Sequence, residues 1–185
     1  MARWTFVRHG ESTANAGGTI AGHTDVPLTP RGEAQARALT ERLGRCRFDR
    51  VLVSDLQRAR RTLALALPQA EPQVLVGLRE RTLGDWETRS RDEVRAHGGF
   101  DTLLAWNGRP PGGESLDDLR QRVLTTLAEH EDGVDTLVVC HGGVMRVVLG
   151  ALDDLGAAEA ARLRYANCAV EERDVPIGTW ARLLT

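Results

Sequence analysis

The sequence predicts an α/β fold with a largely parallel sheet, and two observations carry that expectation. Short β-branched or leucine-rich runs alternate with longer segments of helical period, the pattern of strands joined by crossover helices. Chemically reactive residues follow directly on several of the strand-like runs, as they do where an open α/β sheet binds its ligand at the carboxyl ends of its strands. A chain of 185 residues is then expected to form one domain, 1–185, since domains commonly run to roughly 100–200 residues.

Taken in order, "WTFVRH" reads as the first strand, and "LTPRGEAQARALTERLG" as a helix with Thr29 at its N-cap, Pro30 at its first position and Gly44 beyond its end. Ala34, Ala38, Leu39 and Leu43 are its expected apolar face. "RVLVSD" and "QVLVGL" read as strands flanking the helix "LQRARRTLALAL". From Arg79 to Gly113 Gly, Arg, Asp and two Trp dominate, which predicts loops with a short helix near Arg91–His97, the kind of irregular stretch that serves as a lid or binding loop. Ser115 and Asp118 make a capping arrangement for a helix whose face is Leu119, Val123, Leu124 and Leu127. "DTLVVC" is a buried strand, "GGVMRVVLGAL" a helix, and "CAVEERDV" and "TWARLLT" alternate like two further strands at a sheet edge.

A formal charge of -2, with 42% hydrophobic and 27% charged residues, is that of an ordinary globular protein and gives no reason to expect a nucleic-acid or membrane partner. All 24 basic residues are arginine, so any anion site is built from Arg, His and backbone N–H groups rather than a P-loop or Schiff-base lysine. Cys46, Cys140 and Cys168 are widely spaced and form no C-x-x-C, which argues against a disulfide framework or zinc knuckle and fits a cytoplasmic protein. No apolar run approaches the roughly 18 residues of a membrane span, and the first residues do not read as a signal peptide.

The strand ends carry the chemistry. Arg8-His9-Gly10 closes the first strand, Ser54-Asp55 the second with Arg58 a turn later, and His141-Gly142-Gly143 closes "TLVVC". Guanidinium forks match phosphate oxygens, and glycines let backbone N–H groups reach the same anion. Arginines beside an imidazole lower its pKa and keep it neutral and nucleophilic. One histidine then attacks phosphorus while the other stabilises the transition state. Glu80, after the third strand, is the expected proton donor, its acid form favoured by a neighbouring phosphate dianion, with Asp85 and Glu87 as rivals in the same loop.

These residues resemble the histidine phosphatase superfamily, also called phosphoglycerate-mutase-like. Arg8-His9-Gly10-Glu11-Ser12 with Asn15 is similar to the family's R-H-G-x-[ST] opening, and "DVPLTPRGEAQA" to its following loop and helix start. "SDLQRARRT" resembles the segment carrying the second phosphate-binding arginine, "LRERTLGDWE" that of the acid, and "VVCHGGVMR" that of the second histidine. The resemblance implies a three-layer α/β/α sandwich and a metal-free, cofactor-free phosphohistidine mechanism. In it His9 is the nucleophile, Glu80 the proton donor, and Arg8, Arg58 and His141, with Asn15 and Gly142, hold the phosphoryl group. Two positions depart from the family pattern: Thr88 stands where Gly often follows W-E, and Arg61 where Gln often stands. Cofactor-dependent mutases carry a longer insertion between acid and second histidine, which favours a phosphatase over a mutase. A retained acid points to an alcohol ester, a small phosphorylated metabolite, as substrate.

Other readings compete. Cys140 and Arg146 have the C-x5-R spacing of cysteine-dependent phosphatases, but Met145 and Val147 suit an apolar helix better than a phosphate loop. His9, His23, Asp25 and His141 would serve a metallohydrolase, without the close spacing of a rigid site. A phosphate-ester binding module without catalysis is a third. Trp86 and Trp106 read as core or lid packing ahead of cleft lining, Glu114 and Ser115 as a turn and helix cap at the pocket edge, and His23, His97 and His130 as surface residues.

Overall fold

The computed structural model describes residues 1–185, the side chain of Phe100 excepted. Strands β1 (Ala2–Arg8), β2 (Arg50–Ser54), β3 (Gln73–Leu75), β4 (Thr136–Cys140) and β5 (Val170–Val175) form a five-stranded sheet in the order β3-β2-β4-β1-β5. All neighbours run parallel except β5, which pairs antiparallel with β1. β4 is buried at every position, as expected of a central parallel strand covered on both faces.

Helices cover the two faces separately and make three layers. Trp4, Phe6, Leu52 and Val138 point to one face, where they meet α6 (Leu116–Ala128) and α7 (Gly142–Leu152). Val7, Val53, Leu137 and Val139 point to the other, against α2 (Pro30–Leu43) and α3 (Gln57–Ala66). Strand alternation therefore sorts adjacent residues such as Phe6 and Val7 into opposite cores. The α/β/α sandwich with a mostly parallel sheet is the architecture observed.

Local chemistry sets most of the boundaries. Thr29 Oγ1 accepts the Gly32 N–H at 3.0 Å and caps α2, and Ser115 and Asp118 form a reciprocal capping box on α6. The four expected apolar residues of α6 are all fully buried. On α2 the buried face is Gly32, Ala36, Leu39 and Leu43, whereas Ala34 and Ala38 are exposed. The reason lies at Gly32: a Cβ there would stand 2.0 Å from the Glu11 carbonyl oxygen, so the backbone of Gly32 faces inward and fixes the rotation of the helix.

The C-terminus departs from expectation. Only Val170–Val175 is a strand; Thr179–Leu183 is helix α9. Pro176 has no N–H with which to continue the ladder, and Gly178, at φ 85, turns the chain. Trp180 then docks edge-on against Trp4 with ring centroids 5.0 Å apart, a contact on the sheet face that no edge strand reaches. β3 is also shorter than the run "QVLVGL", because the chain turns through a 3-10 turn at Val76–Leu78. There a Cβ on Gly77 would meet Thr126 Oγ1 at 1.9 Å, so only glycine lets the backbone approach α6. The irregular stretch contains α4 (Arg91–Ala96), close to the expected helix, and α5 (Gly99–Leu104), which was not expected. The short helices α1 (Thr13–Ala16) and α8 (Ala157–Ala160) are likewise additional.

Thr88 has φ 69, a left-handed conformation that costs a β-branched residue about 1–2 kcal/mol. Glycine escapes that cost but loses roughly 0.5–1 kcal/mol of chain entropy. Thr88→Gly is therefore expected to stabilise the fold by about 0.5–1 kcal/mol, read as a rise in the denaturation midpoint.

Candidate active site

The sheet order places three strand ends side by side. β4 lies between β1 and β2, and its register sets Arg8 opposite Cys140, so the next residues, His9 and His141, are neighbours. Their ring centroids are 5.1 Å apart at an interplanar angle of 61°. Ser54 closes β2 with its Oγ 2.8 Å from His141 Nε2, and Arg58 follows in the first turn of α3. All lie at the carboxyl edge of the sheet, beside a pocket of about 430 Å³ lined by Arg8, His9, Asn15, Arg58, Glu80 and Gly142 among others.

His9 is buried, at 4% exposure, and its Nδ1 lies 2.7 Å from the Gly10 carbonyl. A carbonyl only accepts, so Nδ1 carries the proton and Nε2 keeps its lone pair. Burial, with Arg58 and Arg8 adding like charge, pushes the imidazole pKa down to about 3, so the ring is neutral near pH 7. His141 is fully buried, and burial first, then Arg58, His9 and Arg8, holds it well below the usual histidine range. Its Nδ1 is buried with no hydrogen-bond partner; His141 is not itself among the pocket-lining residues but lies against His9, which is.

The guanidiniums are positioned by carbonyls rather than by acids. Arg58, 1% exposed, donates to Thr24 O at 3.0 Å and Gly22 O at 2.8 Å. Arg8 donates from Nη1 to the Tyr165 carbonyl, and its buried Nε has no partner. Carbonyls orient the forks without neutralising them, which leaves net positive charge for an anion. Asn15 accepts through Oδ1 from Ser12 N at 3.1 Å and from Asn167 Nδ2 at 3.1 Å, which turns its own amide N–H groups free of those contacts. Gly142 begins α7 and lines the pocket with Gly143, so the positive end of the helix faces it.

Glu80 reaches the same place by a route other than an Arg79 or Arg81 ion pair. Its carboxylate accepts from Arg81 N at 2.8 Å and from Gly143 N at 3.0 Å. Arg79 instead pairs with Asp55. Arg81 is buried and spends its donors on the carbonyls of Glu114, Leu103 and Gly108, tying the irregular stretch together. The rival Glu87 is fully engaged as a brace: it accepts from His23 N, Thr24 N, Thr24 Oγ1, Thr82 Oγ1 and Leu83 N. That brace holds the loop whose carbonyls orient Arg58. Asp85 is exposed and outside the pocket lining.

Several sequence candidates go elsewhere. Cys140 belongs to the apolar core, burial raises its thiol pKa, and it does not line the pocket. Asp25 caps α3 by accepting from Gln57 N at 2.7 Å. His23 is not a free surface residue: its Nε2 lies 2.8 Å from the Glu80 carbonyl. Among the described residues no three His, Cys, Asp or Glu side chains gather as metal ligands would. Trp106 packs against the core and donates to Asp117, Trp86 is outside the lining, Glu114 pairs with Arg122, and Ser115 caps α6. Sequence reasoning named Ser54 only as a strand end, without its contact to His141, and missed Tyr165 and Asn167, whose Nδ2 donates to the His9 carbonyl at 3.0 Å. Ser54 alone carried a signal, its position at a strand end.

A family model described as histidine phosphatase superfamily (branch 1) matches residues 4–183. The chain belongs to the histidine phosphatase superfamily. This histidine phosphatase is 37% identical over 182 residues to the 2,3-bisphosphoglycerate-dependent phosphoglycerate mutase 2 of Gloeobacter violaceus, covering 91% of this chain and 83% of the relative. It is 36% identical over 174 residues to the adenosylcobalamin/alpha-ribazole phosphatase of Salmonella typhimurium, covering 89% and 85%. In structure it is similar to a mycobacterial glucosyl-3-phosphoglycerate phosphatase, with a TM-score of 0.83 at 27% identity over 92% of this chain and 89% of that one. As a member of the superfamily it is an enzyme of phosphoryl chemistry.

Proposed function

We propose that residues 1–185 act as one domain that hydrolyses a small phosphomonoester through a phosphohistidine on His9. One observation carries the reading: His9 is locked with Nδ1–H on the Gly10 carbonyl, which leaves Nε2 as a neutral nucleophile beside two guanidiniums held by carbonyls rather than by salt bridges. Arg8 and Arg58 hold the phosphoryl oxygens, with Asn15 and the Gly142 N–H beside them. The unpartnered His141 Nδ1 donates to an equatorial oxygen when its Nε2 accepts from Ser54 Oγ.

In the first step the Nε2 lone pair forms a bond to phosphorus, the ester P–O bond breaks, and protonated Glu80 delivers its proton to the departing alkoxide. In the second step Glu80, now a carboxylate, takes a proton from water as the water oxygen attacks phosphorus. The P–N bond breaks, and inorganic phosphate leaves with His9 neutral again. No metal enters either step. No helix of the described residues is long and apolar enough to cross a membrane, and the cysteine usage fits a cytoplasmic site of action.

The mutase among the relatives makes transfer to a second alcohol the alternative reading. Purified protein in EDTA is expected to release inorganic phosphate from p-nitrophenyl phosphate and from at least one metabolite ester. Interconversion of 2- and 3-phosphoglycerate faster than their hydrolysis would assign a mutase instead, and loss of turnover in EDTA restored by zinc would assign a metallohydrolase.

Gly143 bears on the acid. A Cβ there would fall 2.0 Å from Glu80 Oε1, and a side-chain end yields before a backbone does. Gly143→Ala is thus expected to keep its melting temperature while displacing the carboxylate, lowering kcat on alkyl esters on the order of 10²-fold.

A further inference from the structure

The phosphoryl end of the pocket accounts for Arg8 and Arg58 but not for Arg146 and Arg164, which also line it. Arg146 projects from α7 and donates from Nε to the Leu163 carbonyl at 3.2 Å. Arg164 donates from Nη1 to that same oxygen at 2.8 Å and to Ala161 O at 3.0 Å. Two guanidiniums thus converge on one carbonyl oxygen, and among the described residues neither forms a salt bridge. Arg79 and Arg122 are neutralised by Asp55 and Glu114, and Arg81, which also lines the pocket without a salt bridge, spends its donors on three separate carbonyls. Glu80, the acid whose charge acts on Arg146, is committed to two backbone N–H groups.

Like charges held this close repel one another, and burial together with Arg164 lowers the affinity of Arg146 for its proton. A second anion seated between them removes that repulsion and satisfies the unused donors. Tyr165, next to Arg164, also lines the pocket, and its carbonyl orients Arg8. The two cationic ends are therefore linked through one short loop, which suits a compact ligand.

We propose that Arg146 and Arg164 form a second anion subsite, and that the substrate is a small phosphomonoester bearing another acidic group, a carboxylate or a second phosphate, away from the scissile phosphorus. The proposal rests on the phosphomonoesterase reading for which phosphate is cleaved, and on the pocket alone for what is bound. The test uses matched pairs: 3-phosphoglycerate against glycerol 3-phosphate for the carboxylate, and fructose 1,6-bisphosphate against fructose 6-phosphate for the second phosphate. One diacid member is expected to show kcat/KM about tenfold or more above its partner, residing in KM, as a charge-assisted hydrogen bond gives. Arg146→Gln, and independently the exposed Arg164→Gln, are expected to reduce that ratio to below about threefold. Which pair shows the preference identifies the anion.

Equal kcat/KM within both pairs, or a ratio unchanged in both variants, overturns the subsite. Melting-temperature shifts with the same four compounds read binding without turnover. A larger shift with a diacid member but no hydrolysis of any ester would keep the subsite and reject the phosphatase reading. Hydrolysis without preference would do the reverse.

Discussion

His9→Ala is expected to lower kcat on the order of 10⁴-fold or more, since the covalent route disappears with the nucleophile. The same variant has a second signature, in stability. In the unfolded chain a histidine takes up a proton near pH 6.5, whereas folded His9 resists protonation until about pH 3, through burial and then Arg58 and Arg8. Between those values the unfolded state binds more protons, so the fold loses stability as pH falls from 7 toward 3. His9→Ala removes that contribution, and its acid unfolding midpoint is expected to lie lower than that of the native protein. His141, shifted in the same direction, keeps part of the slope. Activity lost together with greater acid resistance separates a nucleophile held neutral by its surroundings from a residue needed only for folding.

Glu80→Gln has the second largest expected effect, and it depends on the leaving group. An alkoxide leaves slowly without a proton, and general acid catalysis contributes about 10²–10⁴-fold. Hydrolysis of a sugar or glycerol phosphate is expected to fall by that amount. p-Nitrophenolate leaves without help, so phosphorylation by p-nitrophenyl phosphate persists while the later attack of water lacks its base. A burst of p-nitrophenol equal to the enzyme concentration, followed by a slow steady state, is the expected trace. Equal losses on both ester types, with no burst, would mean that Glu80 only braces Gly143 and the loop.

The part of the site that was legible in the sequence is the part that sheet topology creates. His9, His141 and Ser54 each end a strand, so knowing that the strands are parallel is nearly enough to bring them together. Arg58 and Glu80 follow strand ends by a few residues and arrive by the same logic. Asn167 and Tyr165 were not legible, because they act through amide and carbonyl contacts with residues far away in the chain, and such contacts leave no periodic trace. The helix α9 failed for a different reason. Trp180, Leu183 and Leu184 satisfy helical spacing as well as a short alternation does, and only the contact of Trp180 with Trp4 decides between them. On α2 the hydrophobic pattern points to Ala34 and Ala38 because Gly32 counts as neutral in it, yet the missing side chain of Gly32 sets which face turns inward.

The central claim is a covalent phosphohistidine. A rapid-quench experiment with a ³²P-labelled ester, stopped in alkali and mapped by peptide, tests it most directly. The expected result is label that is stable in alkali, lost in acid, located on the imidazole of His9 and absent from His9→Ala. Label on Cys140, or an unlabelled His9 while turnover proceeds, would contradict it.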